Sequence, residues 1–357
     1  MITFYKALLI SISILVLSAC DYLPRSSQYN LTKAETQILI ENLQPAEEAI
    51  VKLFDRHQIV ALGDAHFYDE VMIFITQLVT TNTFTNKTQH LVVEFGNAKY
   101  QKLLDSYLSG GDVSKDEIKK IWRETLFFTA WTPNVYADFF HNIRIFNHGR
   151  TPDKQLKVTL AEAPFSWEDL SSEEEWQAIA KNKVSGFSST IQKRVKNENA
   201  LLIFGAFHVI KLTDSIKKEA TPEQWPLMTR IATNRDTSAY TIWPVIQPAL
   251  INELNHHGPK NNKALIHLEG SPLAEHSFAD LMPKARVKLG KLHARDATTK
   301  QLFDGMLYLG DIKRVMVFPK SVLQDKSWLK TMQSRVDMIG GRIKTKFDEI
   351  LLTSTEH

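Results

Sequence analysis

The chain has 357 residues, of which 43% are hydrophobic and 23% charged. That length and balance exclude a disordered, collagen-like or multi-span membrane protein and leave enough apolar material for a large core. Lys and Arg total 43 against 40 Asp and Glu, with no long basic run, so no nucleic-acid partner is expected, and a single cysteine excludes an intrachain disulfide or a thiolate zinc site.

The first segment reads as an address. Lys6 is followed by an apolar run from Ala7 to Val16 and then by Leu17-Ser18-Ala19-Cys20. The run is too short to span a bilayer as a stable helix, and its basic start and small-residue end fit a secretory signal. With the only cysteine closing it, the segment resembles a bacterial lipoprotein signal, in which that thiol receives a diacylglyceryl group before cleavage. The expectation is a signal peptide over residues 1–19, a polar tether over 20–30, and a mature protein anchored to a membrane through Cys20 without spanning it. That places it in the cell envelope on the periplasmic face. Asp21 after the cysteine resembles an inner-membrane retention signal.

Residues 31–357 read as one α/β domain. Thr32 with Glu35 forms a capping box that opens a helix, and Pro45 starts a second helix through Phe54. Ile59-Val60-Ala61-Leu62 is a continuous apolar run ending at Gly63, the mark of a strand buried on both faces. Val71 to Val79 carries a helical apolar face. Leu91-Val92-Val93 is the second strand, before Glu94. From about 97 to 150 no strand is evident. A capping box at Ser114 and Glu117 and the spacing of Val135, Phe139, Ile143 and Phe146 predict a helical insertion over the carboxyl edge of the sheet. Further strands are expected at Leu156–Leu160 before Glu162, Ala200–Phe204 before Gly205, Tyr240–Trp243, Ala264–Ile266, Met306–Leu309 and Val315–Phe318, with a late helix over Lys326–Met338. Strand–helix alternation argues for a mostly parallel central sheet flanked by helices.

The common nucleophile-elbow, zincin, phosphate-loop and dinucleotide signatures are missing. Polar residues follow the buried runs instead: Gly63-Asp64-Ala65-His66 after the first, Glu94 after the second, Glu162 after the third and Gly205-Ala206-Phe207-His208 after the fourth. In a parallel sheet these carboxyl ends share one edge, where ligands bind in open α/β folds. Asp64, His66, Glu94, His208 and Glu162 are therefore the candidate catalytic residues. Gly63 is expected to ease the sharp turn into His66. The set suits a His base oriented by a carboxylate, or a divalent metal held by His66, Glu94 and His208. With 14 Gly and 12 His in the chain, roughly half a Gly-x-x-His match is expected by chance. A third match, Gly290-Lys291-Leu292-His293, follows no apolar run and is set aside. Trp122, Phe127, Phe128 and Trp131 read as helix packing, and Arg123, His141 and Arg144 as surface or packing residues.

At these residues the sequence resembles the broad superfamily of erythromycin esterases, ChaN-type haem-binding lipoproteins and TraB/Tiki proteases. The resemblance rests on Gly63-Asp64-Ala65-His66, Val93-Glu94-Phe95-Gly96 and Gly205-Ala206-Phe207-His208, and covers about residues 59–310. Asp64 stands where the family usually has Glu, one methylene longer. The paired Gly-x-x-His elements are similar to the TraB/Tiki branch, which implies a divalent-metal peptidase. Val92-Val93-Glu94-Phe95 and the segment Phe303 to Gly310 are similar to the esterase branch, which implies a water activated against an ester. The lipoprotein-like start resembles ChaN, which implies haem or iron.

The sequence thus points to a membrane-anchored hydrolase of an ester or amide in a small-molecule or peptide substrate, with His66 as base oriented by Asp64 or Glu94. Haem or iron binding by a lipoprotein is the first alternative, and an inactive envelope scaffold the second. Cys20→Ser should move the protein from the membrane fraction to a soluble or unprocessed form. A wild-type protein with a free thiol by mass spectrometry and an unchanged distribution would refute the anchor.

Overall fold

The computed structural model describes residues 31–234, 238–258 and 263–355, so the expected signal, the tether, Cys20 and Asp21 lie outside the described residues. Eight strands form one sheet: β1 Gln44–Pro45, β2 Ile59–Asp64, β3 His90–Asn97, β4 Lys157–Glu162, β5 Ala200–Gly205, β6 Ala239–Pro244, β7 Ala264–His267 and β8 Gly305–Tyr308. Their order is β1-β7-β8-β6-β2-β5-β3-β4. The neighbours from β8 to β4 pair in parallel, whereas β7 runs antiparallel to both β8 and β1. The fold is therefore α/β with a mostly parallel sheet flanked by helices. Every residue of β2 and β5 is buried, which is why those strands read as unbroken apolar runs.

Alternate side chains of each strand feed the two faces. Ile59, Ala61, Leu202 and Phe204 pack on one side with the helix Lys183–Arg194 and the helix Pro248–His257. Val60, Leu62, Val93 and Ile203 pack on the other with the helices Asp69–Val79, Gln101–Leu108 and Asn134–Asn147. Both capping boxes are present, at Thr32–Glu35 and at Ser114–Glu117. Residues 98–147 contain only helices and turns. A third apolar cluster joins Phe67, Leu126, Phe128, Trp167 and Trp176 to the C-terminal helices Lys326–Ile339 and Gly341–Thr355. Phe67 lies three residues past the end of β2, so this cluster sits near the carboxyl edge.

Some expectations change. Val315–Phe318 is not a strand: Val315 N–H donates one bond to the Phe67 carbonyl (2.8 Å) and Phe318 N–H to Ser354 Oγ (2.6 Å), and Phe318 joins the third cluster. Its apolar run serves an irregular strap that packs on the third cluster. Pro45 precedes its helix, Ala46–Leu53, and pairs in β1. The helix Gly341–Thr355 had no local signal strong enough to be read. His293 lies just past the short helix Arg286–Lys291 at φ +54°, away from any strand end. Asp304, from the segment that resembles esterases, accepts bonds from Lys211 Nζ (2.6 Å) and Thr241 N–H (2.8 Å) at the amino end of β8, a structural clasp. No helix among the described residues is long and apolar enough to cross a membrane.

The outer strand β4 is finished by side-chain amides. Gln101 donates to the Val158 carbonyl and accepts from Leu160 N–H, both at 2.8 Å. Asn147 accepts from Leu156 N–H (2.8 Å) and donates to its carbonyl (3.0 Å). Gln101→Leu leaves two backbone groups without these partners and should lower unfolding free energy by about 1–3 kcal/mol in denaturant titrations. An unchanged midpoint would show that water substitutes fully.

Candidate functional site

The carboxyl ends of β2, β3 and β5 bring Asp64, His66, Glu94 and His208 together. Asp64 ends β2 and is 2% exposed. Its Oδ2 accepts from Tyr136 O–H (2.8 Å) and contacts His66 Nδ1 (3.1 Å), and its Oδ1 is buried with no hydrogen-bond partner among the described residues. The shorter aspartate is sufficient to orient the ring. Held at Nδ1, the imidazole keeps its proton there, and Nε2 is left as the basic nitrogen. Trp131 packs edge-on against the ring, with centroids 4.8 Å apart.

The turn after β2 differs from expectation. Gly63 lies inside the strand, and a Cβ there would come within 3.0 Å of Pro244 Cδ and 3.1 Å of Ala206 Cα. Its role is close approach of neighbouring strand ends. The left-handed backbone falls on Phe67 at φ +69°, a strained state for a bulky residue, held by packing in the third cluster.

Glu94 lies within β3, 4% exposed, where the pairing with β4 shifts register between Val93 and Asn97. A buried carboxylate needs partners, and it has three. Lys183 Nζ donates to Oε1 (2.9 Å), His208 Nε2 lies 3.3 Å from the same oxygen, and Gly205 N–H donates to Oε2 (2.6 Å). Gly205 also fixes the distance to His66: a Cβ there would sit 3.0 Å from His66 Nε2 and 3.1 Å from Glu94 Oε2. His66 and Glu94 do not bond each other directly, yet both face that point.

The electrostatics separate the groups. Burial opposes ionisation of Glu94, but Lys183 and His208 hold its carboxyl well below the usual range. Burial lowers His66, but the bond and charge of Asp64, with Glu94, more than offset it, and the imidazole is raised. His208 is lowered, because burial outweighs the attraction of Glu94. Burial, reinforced by Asp64, pushes the Tyr136 phenol well above its usual value, so it remains a donor.

Glu162, 3% exposed, touches neither histidine; both its oxygens accept from Leu126 N–H, at 3.2 and 3.0 Å. It ties β4 to the helical insertion. No three His, Cys, Asp or Glu side chains among the described residues are grouped to hold a metal ion. The expected ligand set of His66, Glu94 and His208 is not arranged as a metal triad, because the Lys183 ammonium takes the Glu94 oxygen that faces His208. Lys183 and Tyr136 are the participants that the sequence did not single out. Both lie on helices whose approach to the sheet has no local signature. Trp131 was read as packing, and it packs on the site.

No protein-family model matches the sequence, and no curated protein is significantly similar to it. Among solved structures, one similar fold is a protein named for succinoglycan biosynthesis, with a TM-score of 0.54 and 9% identity over 79% of this chain and 97% of that one. A Bacillus cereus protein aligns at TM-score 0.49 and 11% identity, over 80% and 98% of the two chains. A mutant erythromycin esterase in its open conformation aligns at TM-score 0.46 and 11% identity, over 75% and 94%. The first of these likenesses is one of fold.

Glu162 gives a test of the electrostatics. Burial pushes its carboxyl from an ordinary 4.5 up to about 8. Between those values the folded chain holds a proton that the unfolded chain has released, so this group's contribution to stability falls as pH rises. Denaturant midpoints of wild type and Glu162→Gln should therefore diverge against the wild type from about pH 5 to about pH 8. A pH-independent difference would mean that the carboxyl is ionised in the fold.

Proposed function

We propose that the chain hydrolyses an ester or amide, with His66 as general base. The observation that carries this reading is the Asp64–His66 pair, whose free Nε2 faces the same point beside Gly205 as Glu94 Oε2. A water between the two would give its proton to Nε2 and attack the substrate carbonyl. Asp64 then stabilises the imidazolium, and the same proton passes to the leaving oxygen or nitrogen. Glu94, kept ionised by Lys183 and Gly205 N–H, orients the water and favours the charged ring. Neutral His208 remains a candidate hydrogen-bonding group beside the developing oxyanion. The sequence resemblance to the esterase branch, which implies a water activated against an ester, supports the same assignment. With a lipid on Cys20, this chemistry would operate at a membrane face of the cell envelope.

Haem binding is the weaker reading. His66 is packed between Trp131 and Gly205, and His208 lies against Phe187 and Phe204 at centroid distances of 5.6 and 6.4 Å. Neither ring stands alone over an open apolar slot of the kind an axial ligand serves.

A panel of 4-nitrophenyl esters and anilides would identify the turned-over bond. His66→Ala should then lower kcat by about 10²–10⁴-fold with little change in Tm. Full specific activity in that variant, or a stoichiometric Soret band on haem titration with no turnover, would overturn the proposal.

The base must be neutral to act, so activity should fall as pH drops through the raised pKa of His66. The acid limb is expected above about 6.5, the ordinary histidine value. Asp64→Asn removes the group that raises it and should move the limb downward; an unmoved limb would assign it to another group. Gly205→Ala would place a methyl within 3.1 Å of both reacting side chains and should depress kcat more than KM.

A further inference from the structure

Trp131, which packs on His66, also lines a cavity of about 170 Å³. Its walls come from segments far apart in sequence. Trp122, Phe128 and Trp131 belong to the helical insertion, and Trp328 begins a C-terminal helix. Arg123 crosses between the two, bonding Asp325 at 2.8 Å and stacking 4.8 Å over the Trp328 ring. Ser321 bonds Asn134 at 2.9 Å and ties the two segments together at a second point.

Size, lining and charge together define what fits. An engineered protein cavity of about 150 Å³ admits benzene, so this volume takes one six-membered ring. Four aromatic side chains line the cavity; Trp122 is partly exposed, and Phe128, Trp131 and Trp328 are nearly buried, so an occupant would meet mainly their edges. The charged residues lining it are Lys119 and Arg123, with no carboxylate among them. Each cation is paired at 2.8 Å, Lys119 with Asp116 and Arg123 with Asp325, in a neighbouring groove that the two cations also line, so a bound anion would share them with these acids.

We infer that this cavity binds a single aromatic ring carrying an anionic group, a carboxylate or phosphate, with the ring against Trp131 and the anion toward Lys119 and Arg123. The site also has a route to the chemistry. Trp131 is 2% exposed, lines the cavity, and rests edge-on against His66. An occupant that presses on the indole therefore bears on the orientation of the imidazole.

Three of the seven tryptophans line the cavity, which provides a direct readout. The probe is 4-nitrobenzoate, a ring-sized anionic quencher, with 4-nitrobenzyl alcohol as its neutral counterpart, titrated against the full chain. Saturable quenching is expected, about tenfold tighter for the acid than for the alcohol, because a charge-assisted contact is worth that much. Ala137→Trp, which fills the cavity from the helix Asn134–Asn147, should abolish saturation. Lys119→Gln, which removes the charge and its exposed i,i+3 pair with Asp116, should reduce the preference for the acid several-fold. Bound 4-nitrobenzoate should also shift the His66 titration followed by NMR. Linear collisional quenching that is the same in all three proteins would overturn the site, and equal affinity for acid and alcohol would overturn its anionic character. If an ester is turned over, competition by the acid marks the ring as part of the substrate, and a lowered kcat at constant KM marks a separate ligand. Only that last comparison rests on the hydrolase reading, so the two proposals can fail separately.

Discussion

A carboxylate buried inside a sheet must be neutralised where it stands, and Glu94 imposes that condition on everything around it. Its position in β3 lets its two oxygens reach across to β5 and to the helix beyond. Gly205 N–H, the Lys183 ammonium and His208 each answer one part of the demand. That forces the β5 turn to approach without a side chain, and it draws the helix Lys183–Arg194 to the sheet end. The close approach at Gly205 in turn sets how near His66 comes. The site is assembled by the need to solvate one charge.

Two elements of the same Gly-x-x-His form end up with opposite electrostatics. In the first, the second position is Asp64, which bonds the histidine of its own turn and raises it. In the second, that position is Ala206, and His208 leans on a carboxylate of the neighbouring strand while burial lowers it. At neutral pH one ring is drawn toward the imidazolium and the other kept away from it. This is the separation of titratable groups by environment that acid–base work requires.

The parallel strands and their polar ends were legible because the buried strands are short apolar runs closed by Gly, Pro or an acidic residue, with Asp64, His66, Glu94 and His208 at or just past those closures. Asp64, His66, Glu94 and His208 followed from that alone. What the sequence hid were contacts made by elements whose own pattern is ordinary. Tyr136 and Lys183 sit on amphipathic helices, and nothing in their spacing says which sheet end they meet. Val315–Phe318 misled because an apolar run fits a buried strap as well as a strand. The antiparallel sense of β7 was equally unreadable, since direction is set by the connection and not by the residues within the strand.

The amides of Gln101 and Asn147 along β4 have a wider meaning. A free edge strand is a template on which another chain can build, in ordered assembly or in aggregation. Here the outward backbone groups of Leu156, together with the Val158 carbonyl and the Leu160 N–H, are already engaged by side chains of the protein's own helices. At the opposite end the sheet stops in the two-residue β1, too short to recruit a neighbour. The sheet is therefore closed to strand addition on both sides. Copies brought close together would meet through helices and loops, and the strand backbone would not be available to join them.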